Sequence, residues 1–383
     1  MTFTSVSFII FLLVVIITEP IKKYGHYLFI VIISLIFYSF AGFFLVLLLL
    51  LSSFSDHQLS LRFTKKNKLI YLVFAVTLNL CFLIGVKVFY YTDFEFNTLK
   101  NLIPLGISFY TLQSISYLID IYNGKTKRLS NFIEYLAYIS FFPQLIAGPI
   151  ERCSNLHPQL KSFGLVRANK MPKAIRLFVI GIYLKLVVSN GIAGPINAVS
   201  ESLKYDILFF LNGIFAAIYI YVDFFSYTLM ARGIAALFGI NLGINFNQPF
   251  RKKTLIGFWR NWHISLTKWT IDYIYLPIIS NLNGTKKQKI FFSIFVMVLI
   301  GLWHGIGLNF VLFGIIHGTM MQLLPLCDKY LSNFSFKFPK INNRFGLFFI
   351  VMITANIFLC GHNQQLMGFL DLSNYLILNV DNM

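Results

Sequence analysis

Acidic side chains are scarce in this chain: 14 Asp and Glu stand against 32 Lys and Arg in 383 residues, a formal charge of +18. Charge of either sign is rare, at 12% of residues, where soluble proteins carry about a quarter. That excludes an ordinary soluble domain. The four cysteines, Cys81, Cys153, Cys327 and Cys360, are scattered without metal-type spacing or a paired framework, and read as small apolar fillers. There is no His-Glu pair at ligand spacing, so no bound metal is expected. A Gly-x-Ser-x-Gly elbow is missing too, since Gly106-Ile107-Ser108 lacks the second glycine, which disfavours a serine acyl-enzyme. No internal repeat or low-complexity tract stands out. The chain therefore reads as one membrane-embedded domain over residues 1–383, without the matched halves of a repeat-built transporter. The N-terminus has neither the basic region nor the cleavage site of a leader, so Met1 to Thr18 reads as a retained first span.

What the chain has is apolar length. Hydrophobic residues make up 57% and the mean hydropathy is +0.73. Repeated apolar runs approach the roughly 20 residues that a membrane helix needs. They do not alternate, which excludes a barrel and leaves an all-α polytopic integral membrane protein. The embedded segments read as Phe3–Thr18, Tyr27–Leu51 (broken near Phe40-Ala41-Gly42), Leu69–Tyr91, Ile103–Tyr122, Ile175–Val188 and Ile207–Phe225, then Ile290–Leu302, Phe310–Leu324, Phe345–Leu359 and Leu366–Leu378. Phe132–Pro149, interrupted by Pro143 and Gly148, reads as kinked or re-entrant. Ser226–Leu242 reads as a separate helix carrying Arg232, and Phe258–Pro277, with Trp259, Trp262 and Trp269, as an interfacial segment. The expected total is about 10 to 12 transmembrane or re-entrant helices by the twenty-residue criterion.

The positive charge sits in short loops between apolar runs, the pattern of topology determinants rather than of a nucleic-acid face. The basic loops at 22–23, 62–68, 125–128, 161–176, 251–253, 286–289 and 337–344 should be cytoplasmic, and the acidic or mixed loops at 92–98 and 197–206 external. Ile290 then starts at the cytoplasmic side. At 1.5 Å per residue His304 lies roughly 20 Å along its helix, inside the membrane. An imidazole at that depth is costly to keep without a partner or a task.

Five stretches carry the chemistry: Pro104-Leu105-Gly106-Ile107-Ser108-Phe109-Tyr110-Thr111-Leu112-Gln113; Phe141-Phe142-Pro143-Gln144-Leu145-Ile146-Ala147-Gly148-Pro149-Ile150; Asn245-Phe246-Asn247-Gln248-Pro249-Phe250; Phe258-Trp259-Arg260-Asn261-Trp262-His263-Ile264-Ser265-Leu266; and Gly301-Leu302-Trp303-His304-Gly305. In this order they resemble membrane-bound O-acyltransferases of the alginate-acetylase type. The resemblance implies helices around a central tunnel in a bacterial inner membrane. Its substrates would be a cytoplasmic thioester donor such as acetyl-coenzyme A, with no permanently bound cofactor, and an extracytoplasmic hydroxyl acceptor. That acceptor would be a polysaccharide or a secreted acyltransferase that relays the group. It also implies that His304 is catalytic, that His263 at the second polar position of the site is catalytic with it, in substrate positioning or proton transfer, and that Asn261, Trp262 and Trp303 lie against substrate. D-alanyl transfer to teichoic acid from a carrier-protein thioester is a related alternative, and a non-enzymatic transporter or scaffold a further one.

Read chemically, His304 suits a general base. A neutral imidazole can take the proton of a hydroxyl as that oxygen attacks a thioester. The rival reading is a histidine bonded to a neighbouring helix. His263 has its own rival, a ring anchored at the headgroups among tryptophans. His317 is expected to make an interhelical hydrogen bond. His26, His57, His157 and His362 are expected to be solvated, and Asp223 and Arg232 each to find an ion pair from elsewhere in the fold.

Overall fold

The computed structural model describes residues 2–64, 66–91, 106–129, 131–193, 207–282, 284–331 and 344–359. The external loops expected at 92–98 and 197–206, the basic stretch 337–343, His362 and the segment Leu366–Leu378 lie outside them. Every regular element among the described residues is helical. The chain divides into two compact units, Met1–Lys185 with Ser226–Gly243, and Leu186–Phe225 with Ile244–Met383.

The first unit opens with α1 (Val6–Thr18), α2 (His26–Ser39), α3 (Phe43–Leu61) and α4 (Lys68–Tyr91). Ser5 caps α1, its hydroxyl accepting the Phe8 N–H at 3.2 Å, and Glu19-Pro20 opens the 3-10 turn that follows. The apolar tract after it breaks at Phe40-Ala41-Gly42, as the sequence suggests, where Gly42 takes φ 142°. Then come α5 (Ile107–Tyr122), α6 (Phe132–Ser140), α7 (Phe142–Leu145), α8 (Cys153–Leu160) and α9 (Met171–Tyr183). The first two sequence motifs interlock here. Gly106 sits at φ +82°, and a Cβ on it would come within 2.5 Å of the Leu145 carbonyl oxygen. The Gln144 side chain donates to Gln113 Oε1 at 2.8 Å, and Gln113 donates to the Tyr138 carbonyl at 2.8 Å. Polar groups buried among apolar helices must bond one another, and the two glutamines do so.

The helix α10 (Ile207–Leu237) follows, and its residues from Ser226 onward belong to the first unit. It corrects the expected division at Phe225. No Pro or Gly interrupts that junction, and Asp223 is kept buried by a hydrogen bond from the Ser189 hydroxyl at 2.6 Å. The second unit adds α11 (Leu255–Trp259), α12 (Ile264–Thr270), a π-helical turn over Ile271–Tyr275, α13 (Leu276–Asn281), α14 (Lys286–His304), α15 (Leu308–Leu331) and α16 (Arg344–Leu359). Trp259 and Trp269 are buried in this unit, whereas the sequence placed their segment at a boundary.

Six helices among the described residues are long and apolar enough to cross a membrane: Phe43–Leu61, Lys68–Phe89, Ala168–Ala193, Asn212–Leu237, Lys286–His304 and Leu308–Leu326. The sequence count of 10 to 12 embedded segments included shorter pieces. α1 has 13 residues and α2 has 14, about 20 Å of helix against a hydrocarbon core of about 30 Å.

The hairpin of α14 and α15 is held by glycine. A Cβ at Gly301 would overlap the Phe310 carbonyl oxygen, one at Gly314 would lie 2.6 Å from the Met297 oxygen, and one at Gly318 would lie 2.7 Å from Ile294 Cα. Small residues let membrane helices approach backbone to backbone where no hydrophobic force separates protein from lipid. Gly301→Ala should therefore destabilise the protein by about 1–3 kcal/mol, the usual range for overpacking. Gly85→Ala, on an exposed face of α4 with nothing within 4 Å of the new Cβ, should leave the melting point unchanged or raise it. Melting in detergent checks both, and equal effects would contradict the close-packed hairpin.

Candidate active site

The site is assembled at one end of the hairpin. Thr285 and Gln288 form a capping box that starts α14: the Gln288 N–H donates to the Thr285 hydroxyl at 3.3 Å, and Gln288 Oε1 accepts the Thr285 N–H at 2.8 Å. The helix then runs to His304, its last residue, and the chain turns through Gly305–Gly307 into α15. His304 thus terminates its helix, some 27 Å from Lys286 at 1.5 Å per residue, the helix starting four residues before the expected Ile290.

Three of the five sequence-predicted residues meet here. The His304 ring lies edge-on to Trp303 at 4.8 Å between centroids, and Trp303 lies edge-on to His263 at 5.7 Å. Phe358 of α16 closes on His304 at 5.1 Å, and Phe224 of α10 on His263 at 4.7 Å. His304 and Trp303 are half-buried; His263 is 2% exposed. That burial rules out the headgroup-anchor reading of His263. The residue takes φ 41°, in the left-handed region where histidine is one of the enriched non-glycine residues. Asn245 holds this turn: its carbonyl accepts the Ile264 N–H at 2.9 Å and its side-chain oxygen the Ser265 N–H at 3.3 Å. The third motif therefore satisfies the free donors at the start of α12, just after His263.

Asn261 and Trp262 are engaged beside this centre. The Asn261 amide donates to the Gly257 carbonyl at 2.8 Å, and its own carbonyl accepts the Asn247 N–H at 3.1 Å. Trp262 packs on Phe246 at 5.1 Å and stacks on Phe258 at 5.2 Å. Neither side chain makes a ring contact or hydrogen bond to His304.

His317 does what its position in an apolar run suggested. Trp259 donates to its Nδ1 at 3.2 Å, and its Nε2 lies 2.9 Å from the Thr354 hydroxyl. An indole N–H can only donate, so Nδ1 accepts and the ring proton sits on Nε2, which donates to Thr354. The Thr354 hydroxyl in turn donates a hydrogen bond to the Ile350 carbonyl at 2.8 Å. This chain ties α11, α15 and α16 together behind Phe358. Nothing in the sequence spacing points to Phe224, Thr354 or Phe358, which lie far from the histidines along the chain.

Two other expectations are corrected. His57 and His157 are buried, not solvated. His157 stacks on Tyr27 at 5.8 Å and bonds Glu134 at 3.2 Å, and His57 lies against Phe132 and Tyr135. Arg232 has no carboxylate partner among the described residues; its Nε donates to the Leu242 carbonyl at 3.4 Å.

A model of the membrane-bound O-acyltransferase family matches residues 125–362, which include all of the site. The chain belongs to this family. It is 34% identical over 296 residues to the peptidoglycan O-acetyltransferase of Helicobacter pylori, covering 66% of this chain and 55% of that protein. It is 36% identical over 226 residues to the probable alginate O-acetylase AlgI of Azotobacter vinelandii, covering 58% and 44%. The teichoic acid D-alanyltransferase of Bacillus subtilis is 27% identical over 277 residues, 68% of each chain. The chain spans about half the length of the O-acetylating relatives it matches. Family and helices together make it a multi-pass membrane protein of the alginate O-acetylase-like branch.

His263 lies outside the six spans, and burial pushes its pKa from the ordinary 6.5 down to about 3. The folded protein therefore binds this proton less readily than the unfolded chain. The resulting stability is full above pH 6.5 and is lost as pH falls from there toward 3. His263→Asn, whose side chain tolerates the left-handed turn, should flatten the fall in melting temperature between pH 7 and 5. An unchanged slope would mean that other groups govern acid sensitivity.

Proposed function

We propose that this chain is an O-acyltransferase that moves an acyl group, acetyl by analogy with its O-acetylating relatives, from a thioester donor to a hydroxyl acceptor, with His304 as general base. The observation that carries the reading is the edge-on contact series His263–Trp303–His304: two motif histidines from separate segments meet across one indole, at a helix end facing a glycine-rich turn. His304 takes the proton of the attacking hydroxyl, the alkoxide oxygen bonds to the acyl carbon, and the thiolate leaves and accepts that proton. Atoms balance as hydroxyl plus thioester to ester plus thiol. Trp303 sets the angle of the imidazole and His263 stands behind it as a neutral polar wall. Gly305 and Gly307 leave room for the reacting groups. Asn261 and Trp262 shape the approach from the side of α11.

The donor is acetyl-coenzyme A or another acyl thioester, reached from the cytoplasmic side of a bacterial inner membrane, with the basic loops at 161–176 and 251–253 on that side. The acceptor lies across the membrane at the far end of a tunnel. It is a polysaccharide, as the names of the alginate and peptidoglycan relatives suggest, or a secreted acyltransferase that relays the group. The B. subtilis relative supports a second reading, transfer of D-alanine to teichoic acid, whose donor in that case is a carrier-protein thioester.

His304→Ala should lower the transfer rate constant by about 10²- to 10⁴-fold, the usual worth of general-base catalysis, with donor affinity little changed. His304→Gln, which can hydrogen-bond but cannot act as the base, should be equally impaired. Purified variants with matched melting behaviour are assayed for transfer from labelled acetyl-coenzyme A and from D-alanyl carrier protein, and the active donor separates the two readings. Near-normal turnover by the glutamine variant would make the histidine structural.

A further inference from the structure

Two helices of the first unit present exposed apolar stripes that begin at cationic ends, and the structure ties those ends together. On α2 the stripe is Leu28, Ile32 and Ile36, four residues apart and about half exposed. On α9 it is Ile175, Val179 and Tyr183 at the same spacing, inside the span Ala168–Ala193. Lys23 precedes α2, its ammonium 4.9 Å from the ring of the exposed Tyr24. Lys161, Arg167 and Lys170 precede α9, Lys173 and Arg176 lie in its first two turns, and all five are exposed. Three bonds clasp the two ends. Lys22 donates to the Phe163 carbonyl at 2.7 Å, Glu19 accepts the Leu165 N–H at 3.3 Å, and the His26 ring meets the Leu160 carbonyl at 2.5 Å. None of the six exposed cations has a carboxylate partner among the described residues, and Glu19 is taken by Lys22.

We propose that this surface binds anionic phospholipid headgroups. The placement of the charge against the apolar stripes selects lipid over a soluble anion. Arg176 lies between Ile175 and Val179, and Lys170 is about 8 Å along the axis from Ile175, at 1.5 Å per residue. Cations at that offset from a lipid-facing stripe stand at headgroup depth, and clusters of four or more beside a span attract acidic lipid. A soluble polyanion would gain nothing from the stripes. Tyr24 fits the same level, since amphipathic rings settle at membrane interfaces. The inference is independent of the acyl-transfer reading and rests only on the chain's place in a membrane.

The test is the selectivity of the full chain, reconstituted in phosphatidylcholine vesicles, for spin-labelled phosphatidylglycerol over spin-labelled phosphatidylcholine, read as the motionally restricted fraction. The unaltered protein should prefer phosphatidylglycerol by about fivefold, the order expected for one headgroup contact near a cation. The preference should collapse in about 1 M salt, where screening acts beyond roughly 3 Å. Combining Arg167→Gln, Lys170→Gln, Lys173→Gln and Arg176→Gln should bring it close to one. An equal charge loss elsewhere (Arg251→Gln, Lys252→Gln, Lys253→Gln and Lys287→Gln) should leave most of it. Three results overturn the proposal: no salt-sensitive preference in the unaltered chain, equal loss in both quadruple variants, or retained lipid selectivity with lost binding of inorganic tripolyphosphate, which would assign the surface to a soluble anion. The salt titration decides even where the first quadruple variant fails to insert.

Discussion

Backbone contact between α14 and α15 is the constraint on which the site depends. Gly301, Gly314 and Gly318 let the two helices meet with main-chain atoms at van der Waals distance, and Gly301 lies one helical turn before His304. In lipid there is little hydrophobic gain in bringing helices together, so packing and hydrogen bonds must do it. A side chain at any of these glycines would push α15 away and, with it, Phe310 and Phe313, both of which contact Phe358 against His304. The hairpin's fit therefore helps to set the position of the imidazole.

The second device is the matching of buried polar groups across motifs. Gln113 with Gln144, Asn245 with the start of α12, and Trp259 with His317 and Thr354 are three cases of one rule: a polar group enclosed by apolar helices is tolerated when its partner is fixed. This explains why the sequence motifs contain residues that never reach the histidines. Gly106 accommodates a carbonyl and a left-handed turn, and Asn245 caps a helix. Their task is to fix the geometry in which two histidines and one tryptophan can meet.

Much of this was legible in the sequence. Apolar length and scarce charge sufficed for the fold class because the twenty-residue requirement is set by the bilayer, not by tertiary context. His304 stood out because a polar ring at the end of an apolar run demands a reason, while Trp303 and His263 were singled out by the resemblance of their motifs. Helix continuity through Phe225 was misread because Asp223 and Ser226 look like a boundary until their burial is known. The burial of His57 and His157 was missed for the same reason, since short-range polarity does not reveal what packs against it. Phe224 and Phe358 could not be found at all, because nothing local distinguishes two phenylalanines among 43. Only the tertiary fold brings them to the histidines.

The claim that His304 is the reacting base is tested most directly by carbethoxylation of the intact protein with peptide mass spectrometry, with and without a non-transferable thioether analogue of the acyl donor. Loss of transfer should follow modification of His304 with one rate constant, the analogue should slow both equally, and hydroxylamine should restore activity. His263 and His317, each enclosed by protein, should remain unmodified throughout. Inactivation that runs ahead of His304 modification, or modification that the donor analogue leaves unchanged, would contradict the assignment.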